Sequence, residues 1–157
     1  MRYYLIDRIT AFVPGEKALG LKAVSYESEV LHDHFPGYPV LPGALLVESM
    51  AQLSGFLIEM SVNTKARVRR ALLVKIDEAK FHSLVEPGDC LTLEARFGEQ
   101  MDDAVRTTVV ATMGARKIAT ATLTFALKEI AIPAIHEQRK AIYQAWTRTC
   151  PNIPEIL

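Results

Sequence analysis

Two residues in the first third of the chain could perform acid–base chemistry. His34 lies in the segment 31–43, which also holds Pro36, Pro39 and Pro42. Because proline fixes the backbone φ angle, this loop is predicted to be stiff. Glu48 falls in the second turn of a predicted buried helix, where a carboxyl group must be paired, protonated or used in catalysis. A base on the loop and an acid on the helix could surround one small substrate.

Gly43 could supply the third element of such a site. It stands at the predicted N-terminus of the helix, where backbone N–H groups lack intrahelical partners and the helix dipole is positive. An oxygen that gains negative charge would be stabilised there. Together, these groups suit proton abstraction beside a carbonyl group, followed by loss of a β-leaving group, without a cofactor.

Each of the three residues also has a purely structural interpretation. Glu48 could be a core carboxylate satisfied by Gln52, one helical turn away. Gly43 could simply allow the loop to pack closely on the helix. A histidine on a loop, such as His34, is usually just solvated. The residues alone leave both interpretations open.

The helix that carries Glu48 is predicted over residues 42–60, with Pro42 at its first position. Its apolar residues go almost all the way round, which is typical of a buried helix. At 1.5 Å per residue it would span about 28 Å. The polar exceptions Glu48, Gln52 and Glu59 fall within about 40° of one another on a helical wheel. We therefore expect a polar partner to face this stripe.

Alternation of apolar and polar residues predicts strands before and after this helix. The predicted strands cover residues 3–9, 17–24, 71–80, 91–97, 104–113 and 119–125. Turn-forming residues separate these runs, at Pro14-Gly15, at 86–89, at Phe97-Gly98 and at Met113-Gly114. The short connections imply a largely antiparallel sheet. The predicted fold class is α+β, with the sheet wrapped around one long helix.

Composition limits the classes of protein to consider. The chain has 157 residues, of which 50% are hydrophobic and 23% charged, as expected for one soluble globular domain. Eighteen basic residues offset eighteen acidic ones, which argues against a nucleic-acid or polybasic membrane protein. Two cysteines, Cys90 and Cys150, are too few for a disulfide scaffold. Asp7 and Arg8 interrupt any signal peptide, so a cytoplasmic location is expected.

Residues 128–157 are predicted to be a C-terminal extension of the domain formed by residues 1–127. A helix from Ala134 to Arg148 would place Ile135, Ile142 and Trp146 near one face. This pattern favours a cap packed on the same domain over a partner-binding element.

A metal site is the weakest of the candidate sites. His32, Asp33 and His34 could form part of one, completed by His82 or Glu48, but this spacing has little specificity. Neither cysteine has an identifiable base beside it for nucleophilic catalysis. We therefore expect no metal and no cofactor.

The segment from His34 to Gln52 resembles a known family, the β-hydroxyacyl-acyl carrier protein dehydratases of the FabZ and FabA type. The resemblance rests on the string HFPGYPVLPGALLVESMAQ, in which the histidine and the acid are fourteen positions apart, as in the family. It continues through the segments 76–81 and 85–89. Glutamate at position 48 resembles the FabZ branch, because the FabA branch has aspartate there. The resemblance implies the hot-dog fold over residues 3 to about 127.

The resemblance also implies a reaction and a role for each site residue. His34 would take the α-proton of a (3R)-hydroxyacyl-acyl carrier protein thioester, and Glu48 would protonate the departing hydroxyl, giving a trans-2-enoyl thioester and water. The Gly43 amide would bind the thioester carbonyl, and Gln52 would orient Glu48. Phe35 and Val40 would contact the substrate. This is a lyase reaction of fatty-acid synthesis and lipid metabolism.

The implied partners are an acyl carrier protein and a second copy of the chain, as a homodimer or a trimer of dimers. In the family, the histidine and the acid of one site come from different subunits. Where FabZ members commonly carry basic residues, this chain has His82 and Ser83. A basic run could replace them in carrier-protein binding, or could be a solvated loop. It comprises Lys65, Arg67, Arg69 and Arg70.

Two functions of other classes remain open. A hot-dog acyl thioesterase would use the Glu48 region to activate water for attack on the thioester. A non-catalytic acyl-binding subunit would pair with an active homologue, although the presence of both His34 and Glu48 argues against it.

Overall fold

The computed structural model describes residues 3–157, which form one six-stranded sheet and three helices. The strands are β1 (Arg8–Val13), β2 (Lys17–Ala23), β3 (Arg70–Phe81), β4 (Cys90–Met101), β5 (Ala104–Met113) and β6 (Arg116–Lys128). The helices are α1 (Glu29–Asp33), α2 (Gly43–Val62) and α3 (Pro133–Thr147).

The sheet is antiparallel throughout, with the strand order β1-β2-β4-β5-β6-β3. Strand β3 follows α2 in the chain and lies at one edge, paired only with β6 among the described strands. Several of its large apolar side chains are exposed. They are Leu72, Leu73, Val74, Ile76 and Phe81.

Helix α2 is the centre of the fold. It packs against all six strands, including β1, whose Phe12 ring meets the Phe56 ring with centroids 5.4 Å apart, and its residues Met50, Leu53 and Phe56 are fully buried. Its bounds agree with the predicted 42–60 to within two residues, with Pro42 as the N-cap rather than the first helical residue. The antiparallel sheet around one long helix confirms the predicted hot-dog fold.

Helix α2 is also long and apolar enough to cross a membrane by length and composition, but most of it is buried inside the protein. The core helix of a soluble protein passes the same test.

Three local predictions differ from the structure. The first strand occupies residues 8–13 rather than 3–9, because Leu5 and Ile6 pack into the core ahead of the paired segment. Residues 29–33 form the short helix α1, so the stiff loop begins at His34. A five-residue helix is too short to show helical periodicity.

The predicted turn at Phe97-Gly98 is the third difference, and it is wrong. Strand β4 continues to Met101, and its pairing with β5 shifts register between Phe97 and Gln100. A Cβ atom at Gly98 would lie 2.7 Å from the carbonyl oxygen of Arg106. Glycine is therefore used for close backbone approach at an irregular point in the sheet, rather than for a turn.

The last thirty residues pack against the rest of the chain. Helix α3 contacts β1, and its Tyr143 and Trp146 are buried. The Tyr143 ring meets the Phe56 ring of α2 edge to face, with centroids 5.0 Å apart. Beyond α3, Ile156 is also part of the core.

Candidate active site

His34 follows α1 and is held by the loop that leads to α2. Its Nδ1 lies 2.9 Å from the carbonyl oxygen of Val40, and the Val40 amide donates to the His34 carbonyl at 2.7 Å. Because a carbonyl oxygen only accepts hydrogen bonds, Nδ1 must carry the proton. In the neutral imidazole, Nε2 is then unprotonated and can act as a base.

A cavity of about 260 Å³ adjoins His34. Phe35 stacks on the imidazole with ring centroids 4.4 Å apart, and Gly43 lies in the wall at the start of α2. The remaining lining is largely apolar and consists of Tyr38, Val40, Leu41, Leu46, Phe81, Ser83, Leu84 and Val85. The structure thus brings together four of the six predicted site residues.

The N-terminus of α2 leaves donors free at this cavity. Leu45 and Leu46 donate their amides to the carbonyl of Pro42, whereas the amides of Gly43 and Ala44 have no acceptor within residues 3–157. The Phe81 ring covers Gly43 so closely that a Cβ atom there would lie 2.9 Å from it. A carbonyl oxygen in the cavity could accept a hydrogen bond from the Gly43 amide.

Glu48 and Gln52, the other two predicted residues, form a separate pair on α2. Gln52 donates from Nε2 to Oε1 of Glu48 at 3.0 Å. The amide of Leu5 donates to Gln52 Oε1 at 2.9 Å, and Nε2 also reaches the carbonyl of Tyr3 at 3.1 Å. The segment before β1 therefore fixes the Gln52 amide, and the amide holds the carboxyl group of Glu48.

Two cavities adjoin Glu48, and His34 lines neither. One has a volume of about 200 Å³ and is walled by the N-terminal segment, α2 and α3. The other, of about 110 Å³, lies between α2, β3 and β6 and also includes Arg139 of α3. Within one chain, the base and the acid therefore face different cavities.

The polar stripe on α2 meets a cation, Arg70, from the basic run predicted to be a docking patch or a solvated loop. Arg70 is 1% exposed and donates from Nη1 to Oε2 of Glu59 at 2.9 Å. The backbone amide of Ala71 donates to the other Glu59 oxygen at 3.0 Å. A buried glutamate in the last turn of an apolar helix requires such partners, so the sequence indicates that Glu59 has a polar or charged partner.

The basic run divides into an exposed half, Lys65 and Arg67 with side chains 79% and 58% exposed, and a buried half, Arg69 and Arg70. Arg69 is buried and donates to the carbonyl of Asp102, and Arg70 pairs with Glu59. Arg67 pairs with Glu129, and Lys65 pairs with Glu155. Each cation thus has an intramolecular partner.

The described residues contain no group of three or more histidine, cysteine, aspartate or glutamate side chains placed to bind a metal ion.

The family model of the FabA-like domain matches residues 1–122 of the chain. The chain belongs to the FabA-like family. Individual relatives agree with this assignment. The 3-hydroxyacyl-[acyl-carrier-protein] dehydratase FabZ of Bacillus subtilis is 38% identical over 127 residues, covering 81% of this chain and 89% of the relative.

A second FabA-like relative aligns over a shorter region. The FabZ dehydratase of Geobacter metallireducens is 41% identical over 92 residues, which is 59% of this chain and 61% of that protein. The chain thus spans less than two thirds of this relative and most of the Bacillus one.

Solved structures show the same fold at low sequence identity. The dehydratase heterocomplex ApeI:P of Xenorhabdus doucetiae matches with a TM-score of 0.57 at 16% identity, over 71% of this chain and 88% of that one. Zebrafish thioesterase superfamily member 2 matches with a TM-score of 0.62 at 19% identity, over 76% and 80%. The FabA-like chain and these dehydratase and thioesterase neighbours share the hot-dog fold.

Proposed function

We propose that this FabA-like protein dehydrates (3R)-hydroxyacyl-acyl carrier protein thioesters to trans-2-enoyl thioesters and water. The observation that carries the proposal is the arrangement at His34. Its Nδ1 proton is held by the Val40 carbonyl, and the cavity beside it contains the free Gly43 amide. This places a base and a carbonyl-binding group around one mostly apolar space.

The reaction needs one proton removed and one delivered. Nε2 of His34 takes the proton from C2 of the substrate while the Gly43 amide stabilises the negative charge that develops on the thioester oxygen. Electrons from the C2–H bond form the C2–C3 double bond as the C3–O bond breaks. Protonated Glu48 donates its proton to the departing hydroxyl, which leaves as water. Gln52 orients the Glu48 carboxyl group through its hydrogen bond.

The site is completed by a second copy of the chain. His34 and Glu48 line different cavities of one protomer, which supports a site shared between two copies. Strand β3 has an unpaired edge and exposed apolar side chains such as Val74 and Ile76. Pairing of two β3 edges would extend the sheet and bury this surface. A homodimer, alone or in a trimer of dimers, would then combine His34 of one chain with Glu48 of the other.

The proposed setting is fatty-acid or related acyl-chain synthesis in the cytoplasm, with the substrate delivered by an acyl carrier protein. The relatives named as FabZ act on carrier-bound 3-hydroxyacyl groups, according to their names. The thioesterase neighbours supply a second candidate function, since they have the same fold. Their identity to this chain is below 20%, so this likeness concerns the fold alone.

Incubation with carrier-bound 3-hydroxyacyl thioesters, followed by mass spectrometry, tests the proposal. A dehydratase removes water from the acyl group and leaves the thioester intact, whereas a thioesterase releases a free thiol. We expect loss of water without thiol release. Release of thiol alone would show that the protein is a thioesterase. If thioesters of every chain length stay unchanged, the non-catalytic acyl-binding subunit is the function that remains.

Variants at the two proposed catalytic residues test the mechanism. His34→Ala and Glu48→Gln should each lower the dehydration rate by at least about a hundredfold, the range for loss of a general base or acid. His32→Ala is the matched control, because His32 is an exposed histidine two positions away. Wild-type rates in either variant, at equal folded concentration by circular dichroism, would contradict the proposed chemistry.

A further inference from the structure

Arg139 of α3 lies at both cavities that adjoin Glu48. It lines the cavity of about 200 Å³ together with Gln52 and Trp146, and the cavity of about 110 Å³ together with Ala71 and Phe125. Its side chain is 31% exposed, so the guanidinium group is partly withdrawn from solvent. A group that fills either cavity would meet this cation.

The surroundings of Arg139 leave its charge only partly balanced. Its Nε is 3.8 Å from Oε1 of Glu59, which is too far for a hydrogen bond. The Glu59 carboxylate is already engaged by Arg70 at 2.9 Å and by the Ala71 amide at 3.0 Å. Two guanidinium groups therefore share one carboxylate, and Arg139 retains donors that can bind an anion.

Glu48 is the other carboxyl group near Arg139. Burial opposes the charge of Arg139, but the nearby Tyr143, Glu59 and Glu48 outweigh this and raise the pKa of the guanidinium group. In the proposed reaction, Glu48 must be protonated before it donates. At that stage Glu48 carries no charge, so it is not a counterion for Arg139.

The two sides of the proposed site also differ in chemistry. The cavity at His34 is walled mainly by apolar side chains. The larger cavity at Glu48 combines the apolar side chains of Ile135, Ile142 and Trp146 with hydrogen-bonding groups, among them Gln138, which donates to the Tyr4 hydroxyl at 3.0 Å. An unsubstituted alkyl chain would leave these polar groups desolvated without new partners.

The proposed function fixes which part of the substrate reaches Arg139, and this inference rests on it. With the thioester carbonyl at the Gly43 amide and the C3 hydroxyl at Glu48, the acyl chain beyond C3 extends into the cavities on the Glu48 side. We propose that Arg139 is a specificity-determining residue that binds a carboxylate carried by the acyl chain beyond C3. The preferred substrates are then thioesters of 3-hydroxydicarboxylic acids.

Competition between matched substrates tests this proposal in the full-length protein. The first is the 3-hydroxyadipyl thioester of pantetheine, whose chain ends in a carboxylate. The second has a chain of the same length that ends in an isopropyl group, which has a similar shape without charge. The third is the methyl ester of the first, a neutral acceptor. Pantetheine carries all three, so carrier-protein docking does not affect the comparison.

We expect kcat/KM for the carboxylate to exceed that for the isopropyl chain by about tenfold to a hundredfold, the range for a charge-assisted hydrogen bond. The methyl ester should fall between them. Arg139→Gln should reduce this ratio to near one, and Arg139→Lys should retain part of it. Lys140→Gln, which removes a cation on the exposed face of α3, should keep the wild-type ratio.

Three outcomes would overturn the inference. A wild-type ratio of one or less would do so without any variant, and so would a ratio that survives in folded Arg139→Gln. A methyl ester equal to the carboxylate would replace anion binding with recognition of a neutral acceptor. If instead none of the three chains and no 3-hydroxybutyryl thioester is dehydrated, the proposed function itself has failed.

Discussion

Gly43 and Gly55 lie on the same helix in opposite surroundings, and alanine at each should have a different effect. At Gly55 a Cβ atom would meet nothing within 4 Å, whereas at Gly43 it would lie 2.9 Å from the Phe81 ring. Phe81 is 53% exposed, so its ring can move aside at little cost to stability. The ring is also part of the cavity wall beside His34.

We therefore expect Gly43→Ala to raise KM several-fold while changing the free energy of unfolding by less than about 0.5 kcal/mol. Gly55→Ala should stabilise the protein by about 0.5–1 kcal/mol, because alanine has the higher helix propensity. Urea denaturation and steady-state kinetics measure both effects. A wild-type KM in Gly43→Ala would show that Phe81 does not shape the substrate cavity.

At the level of single residues, sequence is most informative where a residue type has few uses in its position. Residue type and position make Glu48 on a buried helix and His34 on a proline-rich loop candidates, but their proposed catalytic roles come from the family resemblance. Their placement at different cavities is not predictable in this way, because the path of the loop relative to α2 depends on tertiary packing. The sequence indicates that Glu59 needs a partner but not that the partner is Arg70, which is eleven positions away and meets Glu59 only through the turn into β3.

At the level of elements, long periodic segments are predictable and short ones are not. Helix α2 is predicted to within two residues because nineteen positions of nearly continuous apolar character exclude a loop. The five-residue helix α1 has no such signal. The turn predicted at Gly98 is wrong because glycine occurs both in turns and in bulges. The close approach of the Arg106 carbonyl, which requires glycine here, is visible only in the folded chain.

The packing of α3 on α2 predicts a stability change at alkaline pH. Burial, and then the nearby Glu59 carboxylate, raise the pKa of Tyr143 well above its ordinary value. In the unfolded chain this phenol loses its proton near pH 10, because the ordinary pKa of tyrosine is about 10. Above that pH the unfolded state binds fewer protons than the folded state. The contribution of Tyr143 to stability is therefore complete below about pH 10 and is lost as the pH rises.

The expected loss from this one residue is up to about 1.4 kcal/mol per pH unit above pH 10. Tyr143→Phe has no phenol to ionise, so its free energy of unfolding should decline less steeply than that of the wild type. Urea denaturation from about pH 8 to about pH 11 measures both slopes. Tyr26→Phe, at a position 67% exposed, is the control and should follow the wild type. Parallel curves for wild type and Tyr143→Phe would contradict the prediction.

At the level of the whole molecule, two features of the isolated protomer indicate that it binds a second copy. Its sheet ends in a strand with exposed Leu72, Val74 and Ile76, and its proposed base and acid face different cavities. A second copy docked along β3 would account for both features, since it would cover the apolar edge and bring Glu48 of one copy to His34 of the other. The proposed activity is then a property of the dimer.

Mixing two inactive variants tests this sharing directly. His34→Ala and Glu48→Gln protomers are unfolded together and refolded at equal concentration, so that half of the dimers are mixed under random pairing. Each mixed dimer has one site with both lesions and one site with neither. Since one site of two is intact in half of the dimers, activity should recover to about a quarter of the wild-type value. If both residues of a site came from one chain, every site would carry a lesion. Activity no higher than the mean of the two variants, with mixed dimers verified by native mass spectrometry, would therefore show that each protomer holds a complete site.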